Sequence, residues 1–210
     1  MDAKFEKLLF VWEKSYITDQ DLMLVFFKED SRRYDAVKYA LKKGILKRVR
    51  RGLYLIGPPY KKGGFDAFEI AQKIYGPSYI SFESALSYHG WIPEAVYTTT
   101  SATAKKGKTF KTSVGVFCYL HIPTQSFYLN VQRVSSKESI FLVAEPWKAL
   151  ADYMYSRRKK WETIHDLSLD LRIEKETMEQ SGLGSLEHVA NYYPKKGVRN
   201  MLSRYLKELM

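Results

Sequence analysis

Along the chain the apolar positions switch between helical and strand spacing, and the switches mark out its elements. Residues 2–14 place Phe5, Leu8, Leu9 and Trp12 three and four apart, which predicts a first helix. Thr18 can cap a second, with Asp19 and Asp21 in a first turn whose dipole favours acids. That helix runs to about Phe27 and packs Leu22, Val25 and Phe26, and Lys28 to Asp30 form a turn. A third helix starts at Ser31 as cap, keeps Tyr34, Val37 and Leu41 on its apolar face, and stops at Gly44 after Lys42 and Lys43. Arg32, Ala36, Tyr39 and Lys43 fall opposite that face, flanked by Arg33, Asp35 and Lys42. Residues 45–49 and 53–56 predict two short strands, joined through Arg50, Arg51 and Gly52. Helix, helix, turn, helix and basic-tipped hairpin is the sequence form of a winged helix-turn-helix.

Pro58-Pro59 and Gly63-Gly64 bracket a connector, so the predicted division is a domain over 1–57, a linker over 58–63 and a second domain over 64–210. There, residues 65–75 form a helix with Phe68, Ile70, Ala71 and Ile74 inward. Tyr79-Ile80 is extended, Ser81 can cap, and residues 82–89 are helical up to Gly90, with His89 a helix-end residue touching carbonyls. Strand spacing follows over 96–103, 109–123, 127–134 and 139–143. In the longest of these, Val114, Val116, Cys118, Leu120 and Ile122 share one face, and Phe117, Tyr119 and His121 the other. Cys118 is expected to be an inert core thiol. Pro146 opens a helix that packs Trp147, Leu150, Ala151 and Met154, and 161–210 is helical with a break at 182–184. In the last helix, over 198–209, Leu202, Tyr205, Leu206 and Leu209 face inward. The predicted class is α+β: a winged helix-turn-helix, then a mixed domain with a mostly antiparallel sheet and C-terminal helices.

Charge sharpens the first part. Between residues 32 and 51 stand Arg32, Arg33, Lys38, Lys42, Lys43, Lys47, Arg48, Arg50 and Arg51 against one acid, Asp35, which is nine minus one, or +8, of a whole-chain +11. These charges follow a helix face and a wing tip, the footprint of a protein that grips nucleic acid. Arg32, Arg33, Tyr39, Lys42, Lys43, Arg48, Arg50 and Arg51 are the candidate DNA-binding residues. The helix would enter the major groove and the wing would hold the backbone or minor groove. Arg157, Arg158, Lys159, Lys160, Lys195, Lys196 and Arg199 form a candidate second basic surface.

One cysteine excludes an internal disulfide framework and fits a reducing compartment. The first residues carry acids without an apolar stretch, so no signal peptide is expected, and no apolar run approaches the ~20 residues a membrane span needs. No zinc spacing, phosphate loop or nucleophile elbow occurs among the motifs of the chain. His89, His121, His165 and His188 stand far apart in sequence. Asp166 and Asp170, four apart on a predicted helix, read as solvated carboxylates before a metal pair. No catalytic residue, metal or cofactor is expected.

The run RRGLYLIGPP, then FEIAQKIYGP, SYISFESALSYHGW and LVAEPWKALADYM, in that order and spacing, resembles the AbiEi family. These are antitoxins of type IV toxin–antitoxin systems linked to abortive phage infection. The resemblance follows the order of elements over roughly residues 5–165. Its most specific pieces are Gly52-Leu53-Tyr54, Tyr79 to Gly90 and Ala144 to Asp152. It implies a cytoplasmic bacterial or archaeal protein that binds double-stranded operator DNA and represses its own operon. Its second domain would counter a nucleotidyltransferase-like toxin without a stable complex. A palindromic operator would call for a dimer on DNA, or for one chain applying two basic surfaces. Two other readings are a winged-helix regulator whose second domain senses a ligand or partner, and an enzyme acting on nucleic acid.

Overall fold

In the computed structural model, which describes residues 1–93, 96–136, 139–158 and 161–210, Asp2 caps the first helix. Its carboxylate accepts from the amides of Lys4 and Phe5 at 2.9 and 3.1 Å. Helix α1 (Ala3–Val11) buries Phe5 and Leu9. Strand β1 (Tyr16–Thr18) leads directly into α2 (Asp19–Val25), where Thr18 and Asp21 form a reciprocal capping box. Residues 26–29 turn the chain, with Lys28 left-handed, into α3 (Asp30–Lys42). Strands β2 (Leu46–Arg50) and β3 (Leu53–Ile56) follow, and the sheet order is β1-β3-β2, all antiparallel. Gly52, at φ 78°, makes the turn between them. Gly57 allows the chain to close back on α3, because a Cβ there would lie 2.5 Å from the Gly44 carbonyl oxygen. Phe5, Leu9, Ile17, Leu22, Phe26 and Tyr54 form the centre of this core.

The chain divides into two units, residues 1–74 with 112–114, and residues 75–111 with 115–210. The expected linker, 58–63, therefore lies inside the first unit. Tyr60 packs on the core and donates to Glu6 at 3.0 Å, and the Lys62 ammonium donates to the Phe10 carbonyl at 2.9 Å. Helix α4 (Ala67–Ile74) belongs here too: its buried Glu69 accepts from the Tyr16 hydroxyl at 2.9 Å. Burial and that carboxylate push the Tyr16 phenol well up. Proline and glycine marked a change of direction, but the side chains between them anchor the segment.

In the second unit β4 (Ser78–Ile80), α5 (Phe82–Tyr88), β5 (Thr98–Thr103), β6 (Lys108–Thr112), β7 (Gly115–His121), β8 (Val131–Ser135) and β9 (Ile140–Ala144) build a six-stranded sheet ordered β6-β7-β5-β4-β9-β8. The two sheets together are mostly antiparallel, yet β5–β7 and β4–β9 pair in parallel. The segment 109–123, expected as one strand, is two: the chain reverses at 113–114 and Gly115 sits at φ 143°. After the turn Phe117 and Tyr119 are the buried face, while Val116, Cys118 and Leu120 are half-buried. Strand β8 starts later than expected, because Phe127 and Leu129 donate back to the carbonyls of Thr124 and Ser126 in turns. Ser81 stands before α5 but caps nothing with its side chain.

Helix α6 (Pro146–Arg157) is buried nearly all round: Trp147, Leu150, Ala151 and Met154 as expected, and Lys148, Ala149 and Asp152 besides. Helices α7 (Ile164–Leu171), α8 (Lys175–Gln180), α9 (Leu183–Tyr192) and α10 (Lys196–Leu209) complete the chain. Gly182 breaks the path between α8 and α9. On α10, Leu202 and Tyr205 are buried, and Leu206 and Leu209 partly so. Among the described residues no helix is long and apolar enough to cross a membrane.

Candidate nucleic-acid interface

Helix α3 sits rotated from its expected setting. Ala36, Val37 and Ala40 are buried, Arg33 and Leu41 are partly covered, and Tyr34 is 68 % exposed. The expected apolar face placed Tyr34 inward and Ala36 outward, and both are corrected. Two alanines let the backbone of α3 approach the core closely, which a tyrosine ring at the same place would prevent. The helix also begins at Asp30 with Glu29 before it, so Ser31 lies within the first turn and is not the cap. The outer face carries Arg32, Asp35, Lys38, Tyr39, Lys42 and Lys43.

These basic residues fall into two groups. The first is held by acids. Arg32 pairs with Asp2 at 2.5 Å and Glu29 at 2.7 Å, and Glu29 also takes Lys4 at 2.5 Å. Arg33 pairs with Asp30 at 3.1 Å and approaches Asp19 at 3.8 Å. Bonds from Lys4 and Arg32 hold the Glu29 carboxyl below its usual range. Slight burial works against Asp2 ionisation, but the bonds from Arg32 and from the Phe5 and Lys4 amides outweigh it and hold Asp2 low as well. The start of α3 is thereby tied to the start of α1, and its two arginines are occupied. Both were expected to meet DNA.

The second group lies further along. Lys38, Lys42 and Lys43 on α3, and Arg48 and Arg51 on the hairpin, are exposed and pair with no acid among the described residues. Tyr39, 40 % exposed, lies among the lysines. On β2, Leu46 and Val49 point inward while Lys47, Arg48 and Arg50 point out, and the register slips between Arg48 and Arg50. Lys47 reaches the Ser113 carbonyl at 3.0 Å, and Arg50 donates to the Ile74 carbonyl. The cations that remain available are therefore the last turns of α3 and the hairpin tip, with Arg able to fork onto phosphate or guanine and Lys acting as a point charge.

The candidate second basic surface separates in the same way. Arg157 pairs with Glu83 at 2.8 Å, and Arg199 donates to the carbonyls of Tyr193 and Pro194 at 2.7 and 3.1 Å. Arg158, Lys195 and Lys196 are exposed, and Lys159 and Lys160 lie outside the described residues.

The most heavily bonded ionic group was not anticipated. Lys148 and Asp152, one turn apart on α6, are 1 % and 0 % exposed and paired. Asp152 also accepts from Tyr79 and Ser81 at 2.8 Å each and from Tyr193 at 3.0 Å, while Lys148 donates to the Tyr79 oxygen at 2.6 Å. Burial pushes both phenols well up, with the Asp152 charge adding to it. Burial pulls Lys148 down against the pull of Asp152. The sequence signal was a Lys and an Asp four apart within an otherwise apolar helix. Every oxygen of Asp152 is satisfied and sealed from water, which suits a staple joining β4, α6 and the end of α9.

Asp166 and Asp170 do not share an ion-holding geometry: Asp166 completes a capping box with Thr163, and Asp170 accepts from the Trp161 indole at 3.0 Å. His89 bonds the carbonyl of Ala144 at 2.9 Å, a carbonyl on β9 and not on its own helix, and burial holds its imidazole low. Comparison of the chain with protein-family models and with curated proteins finds no match.

Proposed function

We propose that the first unit is a winged helix-turn-helix and that the protein binds its own upstream duplex DNA as an autorepressor. The order α1–β1–α2–α3–β2–β3, with α2 and α3 joined by a tight turn and a hairpin after them, supports this reading. The observation that carries it is the partition of charge: acids occupy Arg32 and Arg33, and leave Lys38, Lys42 and Lys43 exposed on the later turns of α3 and Arg48 and Arg51 exposed on the hairpin. Tyr39 contacts phosphate or a thymine methyl, and the wing holds the backbone or minor groove.

The resemblance to AbiEi antitoxins extends the proposal to the second unit, which would counter a nucleotidyltransferase-like toxin without a stable complex. The two parts are tested separately. Full-length protein is titrated onto a labelled duplex of its upstream region with excess unrelated duplex, and the expected result is retained binding to the upstream sequence. Binding that the unrelated duplex removes would overturn the repressor reading. Co-expression with the adjacent gene tests the antitoxin reading: rescue of growth supports it, and growth arrest unchanged by the protein contradicts it.

A further inference from the structure

Two of the cations left exposed in the second unit line one cavity. Helix α6 stops after Arg157, and Arg158 closes it at φ 54°, a left-handed setting that side chains rarely adopt. Helix α10 starts after Lys195, whose side chain makes no capping hydrogen bond. Between these ends and the end of β7 lies a cavity of about 550 Å³ lined by His121, Met154, Arg158, Lys195, Val198 and Met201, among others.

Its charge is one-sided. The carboxyl end of α6 and the amino end of α10 contribute opposite partial charges of about half a unit, which cancel. Arg158 and Lys195 then leave about two full positive charges, and among the described residues no Asp or Glu lines the cavity. His121 bonds the Lys105 carbonyl through Nδ1 at 3.1 Å, which places a hydrogen on that nitrogen. The apolar surface open to it is that of Tyr155 and Met201, both half-buried, whereas Met154 and Val198, 2 % and 5 % exposed, are nearly closed to solvent. Two cations held in one concavity concentrate field on an anion there. The volume lies within the range of roughly 300–1,000 Å³ that takes whole small molecules and is large for a bare phosphate.

We propose that this cavity binds a small organic phosphate of nucleotide size, its phosphates between Arg158 and Lys195 and its less polar body over Tyr155 and Met201. This goes beyond the DNA-binding proposal and does not depend on it. It gives the second unit a ligand through which regulation could act.

The test is calorimetric titration of the full-length protein with adenosine diphosphate and with pyrophosphate. Adenosine diphosphate should bind with one-to-one stoichiometry, and pyrophosphate more weakly because it leaves the apolar surface uncovered. Arg158→Gln/Lys195→Gln removes the charge, and Met201→Trp fills the space with the charge intact. Each should weaken adenosine diphosphate by about tenfold or more, whereas Lys42→Ala/Lys43→Ala in the first unit should leave it unchanged. Thermal unfolding of each variant without ligand shows whether it is folded, and the two cavity variants report independently. No binding of either probe at millimolar concentration would overturn the proposal. So would binding that survives both cavity variants, or that is lost with Lys42→Ala/Lys43→Ala. If the cavity variants lose upstream DNA and not adenosine diphosphate, the cations belong to a nucleic-acid surface and the proposal falls.

Discussion

Lys43 and Lys148 are the same residue type, each on or beside a helix, and they are used in opposite ways. Lys43 stands in water at the end of α3 with no acid paired to it among the described residues, whereas Lys148 is 1 % exposed and bonded to Asp152 and Tyr79. A charge in water is cheap to maintain and free to meet a partner. A charge in the interior must be matched at once, and once matched it fixes the surrounding chain. The first unit contains an intermediate case. Arg32 and Arg33 are near the surface, but Asp2, Glu29, Asp19 and Asp30 hold them, so they brace α3 against its own unit. Counting basic residues therefore overstates the cations open to a partner, and pairing decides which of them are.

The contrast is sharpest at the buried pair. Lys148→Met leaves Asp152 buried without its cation and should cost roughly 3–5 kcal/mol, read as a shift in the denaturant midpoint of the second unit. Lys148→Met/Asp152→Leu should recover part of that loss, and only part, because Tyr79, Ser81 and Tyr193 then lose their acceptor. A loss below about 1 kcal/mol in the single variant would show that the pair is not closed to water. Tyr193→Phe removes one donor to Asp152 and should cost about 1–3 kcal/mol by the same measurement.

Smaller effects separate the two groups of surface cations. Thr18→Ala removes the cap of α2 and should cost about 1 kcal/mol with little change in DNA affinity at saturating fold. Acid tests the Arg32 brace. Asp2 and Glu29 have folded values below their ordinary ones, so the stability they contribute is complete above about pH 4–5 and is lost as pH falls through the lower folded values. Amide exchange in α1 and α3 should accelerate over that interval in wild type, and the acid dependence should shrink in Arg32→Ala. Equal acid dependence in both proteins would mean the brace does not hold the two helices.

How far the sequence carried depended on what each residue was asked to report. Local chemistry transferred well: Thr18 caps α2, Gly52 turns the hairpin, Pro146 opens α6, and β3 spans the expected residues. Assignments that needed a neighbouring element did not. The wheel for α3 chose the larger apolar residues, while the available space favoured Ala36 and Ala40 over Tyr34. Uninterrupted alternation hid the reversal at 113–114, since a hairpin of two short strands keeps nearly the same spacing as one long strand. The parallel β4–β9 and β5–β7 pairs join segments distant in sequence, so no local pattern announces them. Of the candidate DNA-binding residues, Lys42, Lys43, Arg48 and Arg51 remain available. Arg32, Arg33 and Arg50 have partners that become visible only in three dimensions.

The most direct test of the account is the salt dependence of binding to the upstream duplex, for wild type beside Lys42→Ala/Lys43→Ala/Arg51→Ala and Arg32→Ala. If one protomer neutralises ~4–6 phosphates, log affinity should fall against log salt with a slope of about −4 to −5. The triple variant should lose about three units of that slope and its preference for the upstream sequence, while Arg32→Ala keeps nearly the wild-type slope. Identical slopes and affinities for wild type and the triple variant would contradict the claim that the end of α3 and the hairpin tip are the surface that meets DNA.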